Sequence, residues 1–375
     1  MFTDLKTYGF TQTEFSSTEN YIHNLQETGD KNAADLIPGR VTEIRRDIYK
    51  VICQTGEVPA ELKGSFYHSL KTPDEFPAVG DFVLVKLNPR GNSLIGGLLP
   101  RRSKFSRADF GGHGEGYAKN IKEQVIVANF DYVFILSSLN YDFNVNRLAR
   151  YLTASWQSGA FPVIVLSKSD LSDNPEAKAA EVRKIAMPGT RREVPVIPVS
   201  AKTGYGLGEL IPFLEPAKTV VFLGSSGVGK SSLLNILAGE NVMEVKEIRE
   251  DDSKGRHTTT HRELFRLASG ALVIDTPGMR ELGLWDSKEG LSLAFAKVEE
   301  LFPQCRFSNC THQTEPGCAV LAALEDGSLS PEQWRNYQIQ KKETAYVENR
   351  SEFLRNKREW HKAIAKANRN AKAHE

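Results

Sequence analysis

Residues 224–231, Gly-Ser-Ser-Gly-Val-Gly-Lys-Ser, have the composition and spacing of a loop that binds phosphate groups. Its glycines let backbone N–H groups converge on an anion, and the start of a following helix adds partial positive charge. The apolar run 219–223 precedes the loop and a helix-like segment follows it, as such a loop requires. Lys230 is placed to reach nucleotide phosphates, and the Ser231 hydroxyl to ligate magnesium. The candidate phosphate-binding residues are Gly224, Ser225, Ser226, Gly227, Val228, Gly229, Lys230, Ser231 and Ser232.

Two short motifs earlier in the chain could read a guanine base. The carboxylate of Asp170 can accept from N1–H and the exocyclic amine of guanine, and the stem of Lys168 can cover the base face. The usual first residue of that motif is asparagine; Ser167 keeps a hydroxyl that can brace neighbouring loops but lacks the amide. Either motif alone could be a surface turn or a helix cap, but both at strand ends favour guanine over adenine. The candidate base-reading residues are Ser167, Lys168, Ser169, Asp170, Ser200, Ala201 and Lys202.

Asp275-Thr276-Pro277-Gly278 closes another apolar run after the phosphate loop. Asp275 is placed to hold magnesium, directly or through water, and the Gly278 N–H to sense the γ-phosphate. The polar segment 251–261 should carry a magnesium-binding threonine; residues 258, 259 and 260 are all threonines, and we favour Thr259.

Met279 stands where many nucleotide hydrolases of this type carry a glutamine that orients water, and a thioether does this poorly. His257 is the nearest candidate in sequence for that catalytic role. The alternative is that His257 is a surface histidine without a role. We therefore expect slow hydrolysis that a partner stimulates.

Three of the four cysteines lie close together near a histidine. Cys305, Cys310, His312 and Cys318 supply three thiolates and one imidazole, a set that suits one tetrahedral structural zinc ion. The alternative is three buried cysteines and an unrelated histidine. Cys53 lies far away and is predicted to be an ordinary buried residue.

The order of these motifs is unusual. In an ordinary small GTPase the phosphate loop comes first and the base-reading loops come last, whereas here the base-reading motifs precede the phosphate loop. The chain therefore reads as a circular permutation, which is tolerated when the original termini lie close together.

Composition limits the class of protein. The 375 residues suffice for two or three domains, and the net charge of +1 says nothing about nucleic acid. No run approaches the roughly 20 apolar residues of a membrane span, and the N-terminus lacks the pattern of a secretory signal. We expect a cytoplasmic monomer that does not bind a membrane and that carries one structural zinc ion and uses magnesium with its nucleotide.

The pattern of apolar and polar residues changes along the chain. Short alternating runs broken by Gly and Pro predict a small β-barrel, most simply an OB-fold, with an SH3-like barrel as the alternative. Apolar runs separated by amphipathic segments then predict a doubly wound α/β domain. The predicted divisions are a loosely attached N-terminal extension (1–36), the barrel (37–105), a Gly-rich basic linker (106–122), the permuted nucleotide domain (123–286), a mostly helical zinc-binding domain (287–345) and a basic C-terminal helix (346–375).

These residues together resemble the circularly permuted GTPases of the RsgA (YjeQ) family. The matching segments are SKSD, SAK, GSSGVGKSS, GRHTTT, DTPG and CRFSNCTHQTEPGCAV, and the likeness covers about residues 38–345. The resemblance implies an N-terminal OB-fold, a central GTPase domain and a C-terminal zinc domain. It also implies a role in small ribosomal subunit assembly, with GTP hydrolysis stimulated by that subunit and release after hydrolysis. Ser167 is the one departure in a core motif.

Three kinds of function compete. The first is a GTP/GDP switch that binds the small ribosomal subunit and its rRNA; the basic tail could neutralise RNA phosphates, or it could be a solvated helix face. The second is a metabolic phosphotransferase, which would need acid–base residues that we do not find. The third is an RNA-binding module with a decayed nucleotide site, which the intact Lys230, Ser231 and Asp275 argue against.

Overall fold

A computed structural model of the chain describes residues 3–29, 33–109, 122–140, 143–185, 193–239, 262–275 and 288–345. Among the helices of these ranges, none is both long and apolar enough to cross a membrane. Two β structures and a helical module follow one another, with an N-terminal helix in front of them.

The first β structure is a barrel of five strands. These are β1 (Leu36–Arg45), β2 (Ile48–Cys53), β3 (Gly56–Leu62), β4 (Phe82–Lys86) and β5 (Ser93–Leu98), and a short helix α2 (Gly64–Ser69) follows β3. Their order is β1–β2–β3–β5–β4, with β4 pairing back onto β1 and β3 parallel to β5. This Greek-key closure confirms the prediction of an OB-like barrel. Alternating inward residues fill it, including Val41, Val51, Val83, Val85 and Ile95, all fully buried.

The prediction that the N-terminal extension is loosely attached is wrong. Helix α1 (Gln12–Glu27) begins with a capping box in which Thr11 and Glu14 bond each other's backbone N–H groups. Its residues Tyr21, Ile22 and Leu25 pack on a buried cluster of the barrel that includes Phe82. The segment is polar on average, but as a helix it presents one apolar face that packs on the barrel. Composition averaged over the segment does not reveal such a face.

The connector between the two β structures also differs from the prediction. Residues Lys104–Asp109 (β6) pair antiparallel with Lys122–Ala128 (β7), so both ends of the predicted flexible linker are strands. Just before β6, the Arg101 guanidinium is bound by the buried Asp81 carboxylate with an N–O distance of 2.7 Å. Residues 110–121 lie outside the described residues.

The second β structure is a sheet with helices on both faces. Its strands are β8 (Tyr132–Ser138), β9 (Phe161–Ser167), β10 (Val196–Pro198), β11 (Thr219–Leu223), β12 (Glu263–Arg266) and β13 (Leu272–Asp275). The order is β10–β9–β8–β11–β13–β12; all pairs are parallel except β12 with β13. Helices α3 (Val145–Gln157), α4 (Pro175–Ile185) and α5 (Lys230–Ala238) cover it, and a buried cluster lies on each face. The α/β prediction is confirmed.

The C-terminal module is helical, as predicted. It contains α6 (Lys288–Ala294), α7 (Ala296–Glu299), α8 (Ala319–Glu325) and a helix α9 over residues 331–345, around one buried cluster. Gly290 allows α6 to approach α3 closely, because a Cβ there would lie 2.6 Å from the carbonyl oxygen of Thr153. The predicted basic C-terminal helix, 346–375, lies outside the described residues.

Candidate nucleotide site and metal centre

The phosphate loop joins β11 to α5 at the carboxyl edge of the parallel sheet. Gly224 has φ of 156°, and a Cβ there would lie 2.8 Å from the Leu136 carbonyl oxygen on neighbouring β8, so no side chain fits. Gly229 caps α5 without any side-chain hydrogen bond. Because no cap side chain competes, the N–H groups of the first helical turn suit phosphate oxygens.

Lys230 lies across this loop. Its ammonium Nζ donates to the Gly224 carbonyl oxygen at 2.9 Å. Val228 is buried in the core beneath and anchors the loop. The remaining loop residues are half-buried or exposed, namely Ser225, Ser226, Gly227, Ser231 and Ser232.

The two described candidates for magnesium lie at the same edge of the sheet. Ser231 is in the first turn of α5, and the buried Asp275 is the last residue of β13. Since β13 is the parallel neighbour of β11, the carboxyl ends of both strands meet here. The other predicted residues of this site, His257, Thr259 and Gly278, lie outside the described residues.

The base-reading motifs also meet at this edge. Ser167 ends β9, Lys168–Asp170 follow it, and Ser200–Lys202 follow β10, its parallel neighbour. Asp170 is exposed, and its Oδ1 accepts from the fully buried Ser200 hydroxyl at 2.6 Å. The Ser169 N–H donates to the Val199 carbonyl oxygen at 3.0 Å, which ties the two loops together. Sequence reasoning placed Ser200 here but missed its bond to Asp170. Ala201 is half-buried and Lys202 exposed.

Ser167 joins the base-reading loop to the phosphate loop. Its buried hydroxyl donates to the Val228 carbonyl oxygen at 2.5 Å. Lys168 adopts the left-handed conformation with φ of 56°. Its Cε lies close to Gly229, at 4.0 Å from the position that a Cβ would take on that glycine. The stem of Lys168 therefore runs beside the phosphate loop, where it can cover a base.

A separate cluster lies in the helical module. The ligand atoms of Cys305, Cys310, His312 and Cys318 all lie within 4.8 Å of one another. The His312 Nδ1 is 3.6 Å from the Cys305 sulphur and 3.4 Å from the Cys318 sulphur. Tetrahedral coordination by sulphur and nitrogen at their usual bond lengths separates two such atoms by about 3.5 Å. The cluster could therefore hold one metal ion.

The protonation chemistry of the cluster agrees with this. Burial tends to raise the pKa of Cys305, but the N–H groups of Ala319 and Val320 and the neighbouring thiols outweigh it and lower that pKa. Burial and the neighbouring thiols raise the pKa of Cys310 to about 11. Three adjacent thiols cannot all ionise without a cation to offset the charge. Burial lowers the pKa of His312, which favours the neutral imidazole that a metal needs.

A carboxylate that sequence reasoning missed shapes the loop of this candidate metal site. Glu315 accepts from the N–H groups of Thr311, Gln313 and Thr314 and from the Thr311 hydroxyl. The Thr311 hydroxyl and the N–H groups of Thr311, Gln313 and Glu315 lower the pKa of Glu315 well below its usual value. His312 is also held by a stacked Phe302 ring at 4.6 Å. In the sequence, an acidic residue that follows several small polar residues could have indicated a turn in which its carboxylate accepts from backbone N–H groups.

A parallel sheet that presents a phosphate loop and two candidate base-reading loops at one edge, with the strands of the candidate base-reading loops first in sequence, defines a circularly permuted GTPase. The solved structure of YloQ, described as a circularly permuted GTPase, is similar with a TM-score of 0.57 and 25% identity, covering 84% of this chain and 96% of that one. YjeQ from Thermotoga maritima is similar with a TM-score of 0.59 and 26% identity, covering 83% and 99%.

Sequence comparison gives the family. The model of the RsgA GTPase family matches residues 98–285. The small ribosomal subunit biogenesis GTPase RsgA 1 of Listeria innocua is 46% identical over 340 residues, which are 90% of this chain and 92% of that protein. The RsgA protein of Opitutus terrae is 43% identical over 326 residues, 84% and 86% of the two chains. This chain belongs to the RsgA GTPase family.

Proposed function

We propose that this protein hydrolyses GTP as a switch that controls its docking on the small ribosomal subunit and assists late maturation of that subunit. The observation that carries the proposal is the Asp170 carboxylate, held by Ser200 at the sheet edge that also bears the phosphate loop. The names of its relatives, small ribosomal subunit biogenesis GTPases, supply the biological partner.

The residues divide the work in the following way. Asp170 selects guanine, and Lys230 and the loop N–H groups bind the phosphates. Ser231 and Asp275 would hold magnesium, which would supply positive charge to neutralise the phosphates. Thr259 is proposed as the third magnesium contact and Gly278 as the γ-phosphate sensor.

His257 is proposed to orient the attacking water. The chain has Met279 where a water-orienting glutamine is common, and efficient hydrolysis needs another positioned group. We expect His257 to be placed when the ribosomal subunit is bound, so that hydrolysis is slow in the free protein.

The metal of the cysteine cluster is proposed to be zinc. Three thiolates and one imidazole leave no open position on a tetrahedral ion, so its role would be structural. The barrel, residues 37–105, and the zinc-binding domain, 287–345, are proposed to contact rRNA on either side of the GTPase domain, 123–286. The protein would act as a cytoplasmic monomer, with the basic segment 346–375 adding contacts to RNA phosphates.

The deciding experiment measures hydrolysis by the full-length protein alone, with small ribosomal subunits and with large ribosomal subunits. We expect slow GTP hydrolysis alone, strong stimulation by small subunits, and little ATP hydrolysis. Equal stimulation by large subunits would reject the partner. Equal hydrolysis of ATP would reject the assignment of the base site, and no binding of GTP would favour an RNA-binding module.

A further inference from the structure

A cleft of about 360 Å³ lies where the barrel meets the strand pair β6–β7 and the start of β12. It is separate from the phosphate loop, and none of the residues of that loop lines it. Its volume is within the range of small-molecule sites. Its lining includes the polar Arg46, Tyr49, Gln124 and Arg262 and the apolar Ile44, Phe76 and Pro77.

The charged side chains that line the cleft in the described ranges are both cationic. Arg46 and Arg262 line it, and no acidic residue does so within the described ranges. Arg262 is half-buried, and its Nε has no hydrogen-bond acceptor among the described residues. Burial and the nearby Arg107 lower the pKa of Arg262. Placing two guanidinium groups in one cleft without a carboxylate in its lining is unfavourable unless an anion binds there.

The other polar groups of the cleft are donors too. The Gln124 Oε1 accepts from the Arg107 Nε at 2.8 Å, so its amide nitrogen is the atom left to offer. Burial, with smaller effects from Asp47 and Asp81, raises the pKa of Tyr49 to about 12, so its hydroxyl keeps its proton at neutral pH. Guanidinium, amide and hydroxyl donors beside an apolar wall match a ligand that is anionic at one end only.

We propose that this cleft is a second anion site, which binds the phosphate of a nucleotide unit while Phe76, Pro77 and Ile44 cover its apolar part. The nucleotide unit can be free or part of single-stranded RNA, since the chemistry offered is the same. Phosphate suits several converging donors better than a carboxylate does, because it presents more acceptor oxygens.

The cleft adjoins the strand that borders the nucleotide site. Arg262 directly precedes β12, whose first residue Glu263 pairs with Asp275 at the end of β13. An occupant held by Arg262 would therefore lie next to the strand that connects the cleft with the candidate magnesium carboxylate. The proposal does not depend on the ribosomal role, because it can be tested without ribosomes and without hydrolysis.

The test uses the full-length protein with its GTP site saturated by GDP and magnesium. Three probes are titrated at one fixed low salt concentration: inorganic phosphate, UMP, and a fluorescein-labelled hexauridylate RNA. Calorimetry measures the first two and fluorescence anisotropy the third. We expect at least one nucleotide probe to bind, with at least tenfold weaker binding in Arg262→Ala and several-fold weaker binding in Arg46→Ala. Binding of UMP identifies a free nucleotide as the ligand, and binding of the RNA alone identifies a strand.

Arg266→Ala is the matched control, because Arg266 is exposed on the same strand β12 and does not line the cleft. We expect it to change binding less than twofold. Unchanged GDP affinity shows that each variant is folded. If Arg262→Ala fails this check, binding of the probes to Arg46→Ala, at an exposed residue, and to the conservative Arg262→Lys tests the cleft instead. Failure of both UMP and the RNA to bind the wild type, or equal losses in Arg266→Ala and the cleft variants, would overturn the proposal.

Discussion

Asp170 is the residue on which we propose that the choice of nucleotide depends. Replacing Asp170 by Asn removes a charged acceptor and introduces a donor, so we expect GTP affinity to fall roughly tenfold or more and xanthine nucleotides to be preferred. Fluorescent GDP and XDP analogues measure both constants. Asp173→Asn, an exposed residue of the same loop, is the control. Unchanged GTP affinity in Asp170→Asn would show that the carboxylate does not read the base.

Ser167 is expected to act through the phosphate loop rather than on the base. Ser167→Ala removes the donor to the Val228 carbonyl oxygen, and a lost neutral hydrogen bond costs about 1 kcal/mol. We therefore expect GDP to bind several-fold more weakly, and Ser167→Asn to restore or exceed wild-type affinity. Ser172→Ala, in the same loop, should bind as the wild type does. Equal affinities in Ser167→Ala and the wild type would leave the hydroxyl without a role in nucleotide binding.

At the scale of elements, we expect the turns between α7 and α8 to depend on a bound metal ion. We expect one zinc ion per wild-type chain, and its loss in Cys310→Ser with melting of the 288–345 helices, because metal binding at such sites is coupled to folding. Elemental analysis and circular dichroism measure this, and GDP affinity should remain near wild type. Cys53→Ser, at the fully buried barrel cysteine, is the control and should keep its zinc. Protein purified without chelators that contained no zinc would contradict the assignment.

Arg40 holds several elements together. This fully buried side chain of β1 donates to the carbonyl oxygens of Gly80, Asn129 and Tyr8 and to the Thr219 hydroxyl at the start of β11. Arg40→Leu would leave these buried acceptors without donors, and each one left unpaired costs about 1–3 kcal/mol. We expect the free energy of unfolding in urea to fall by about 3 kcal/mol or more. Arg90→Leu, at an exposed turn, should have little effect, and equal losses in both variants would contradict the role of Arg40.

At the scale of the molecule, the sheet runs without interruption from the nucleotide site to the barrel. Strand β12 pairs with β13 on one side and with β1 on the other, through Glu263 and Glu43. On the opposite side, the helical module packs on α3, where the Arg150 guanidinium is 2.6 Å from the Glu343 carboxylate. Ordering of the segment that contacts a bound γ-phosphate would therefore change the positions of both the barrel and the helical module.

We expect small ribosomal subunits to bind the form loaded with a non-hydrolysable GTP analogue at least fivefold more tightly than the GDP form, a modest coupling for an allosteric protein. The two affinities must be measured at one salt concentration, because phosphate contacts weaken with salt. Equal affinities would mean that the nucleotide does not control docking, since a switch requires different affinities in its two states.

The sequence by itself determined the features whose signals are local. The phosphate loop, each base-reading motif and the cysteine cluster lie within short segments, the longest being residues 305–318, and the order of the nucleotide motifs along the chain revealed the permutation. The barrel and the sheet followed from alternating and continuous apolar runs, because the period of a strand or helix is written in neighbouring residues.

Only the tertiary structure decided which of these segments contact one another. Ser167 bonds a carbonyl 61 residues further along the chain, and Arg40 bonds a hydroxyl 179 residues away. The attachment of α1 and the arginine-lined cleft likewise arise from contacts between segments that are distant in sequence. Such contacts leave no local periodicity, and they form only when the packing of whole elements has brought the partners together and excluded water from between them.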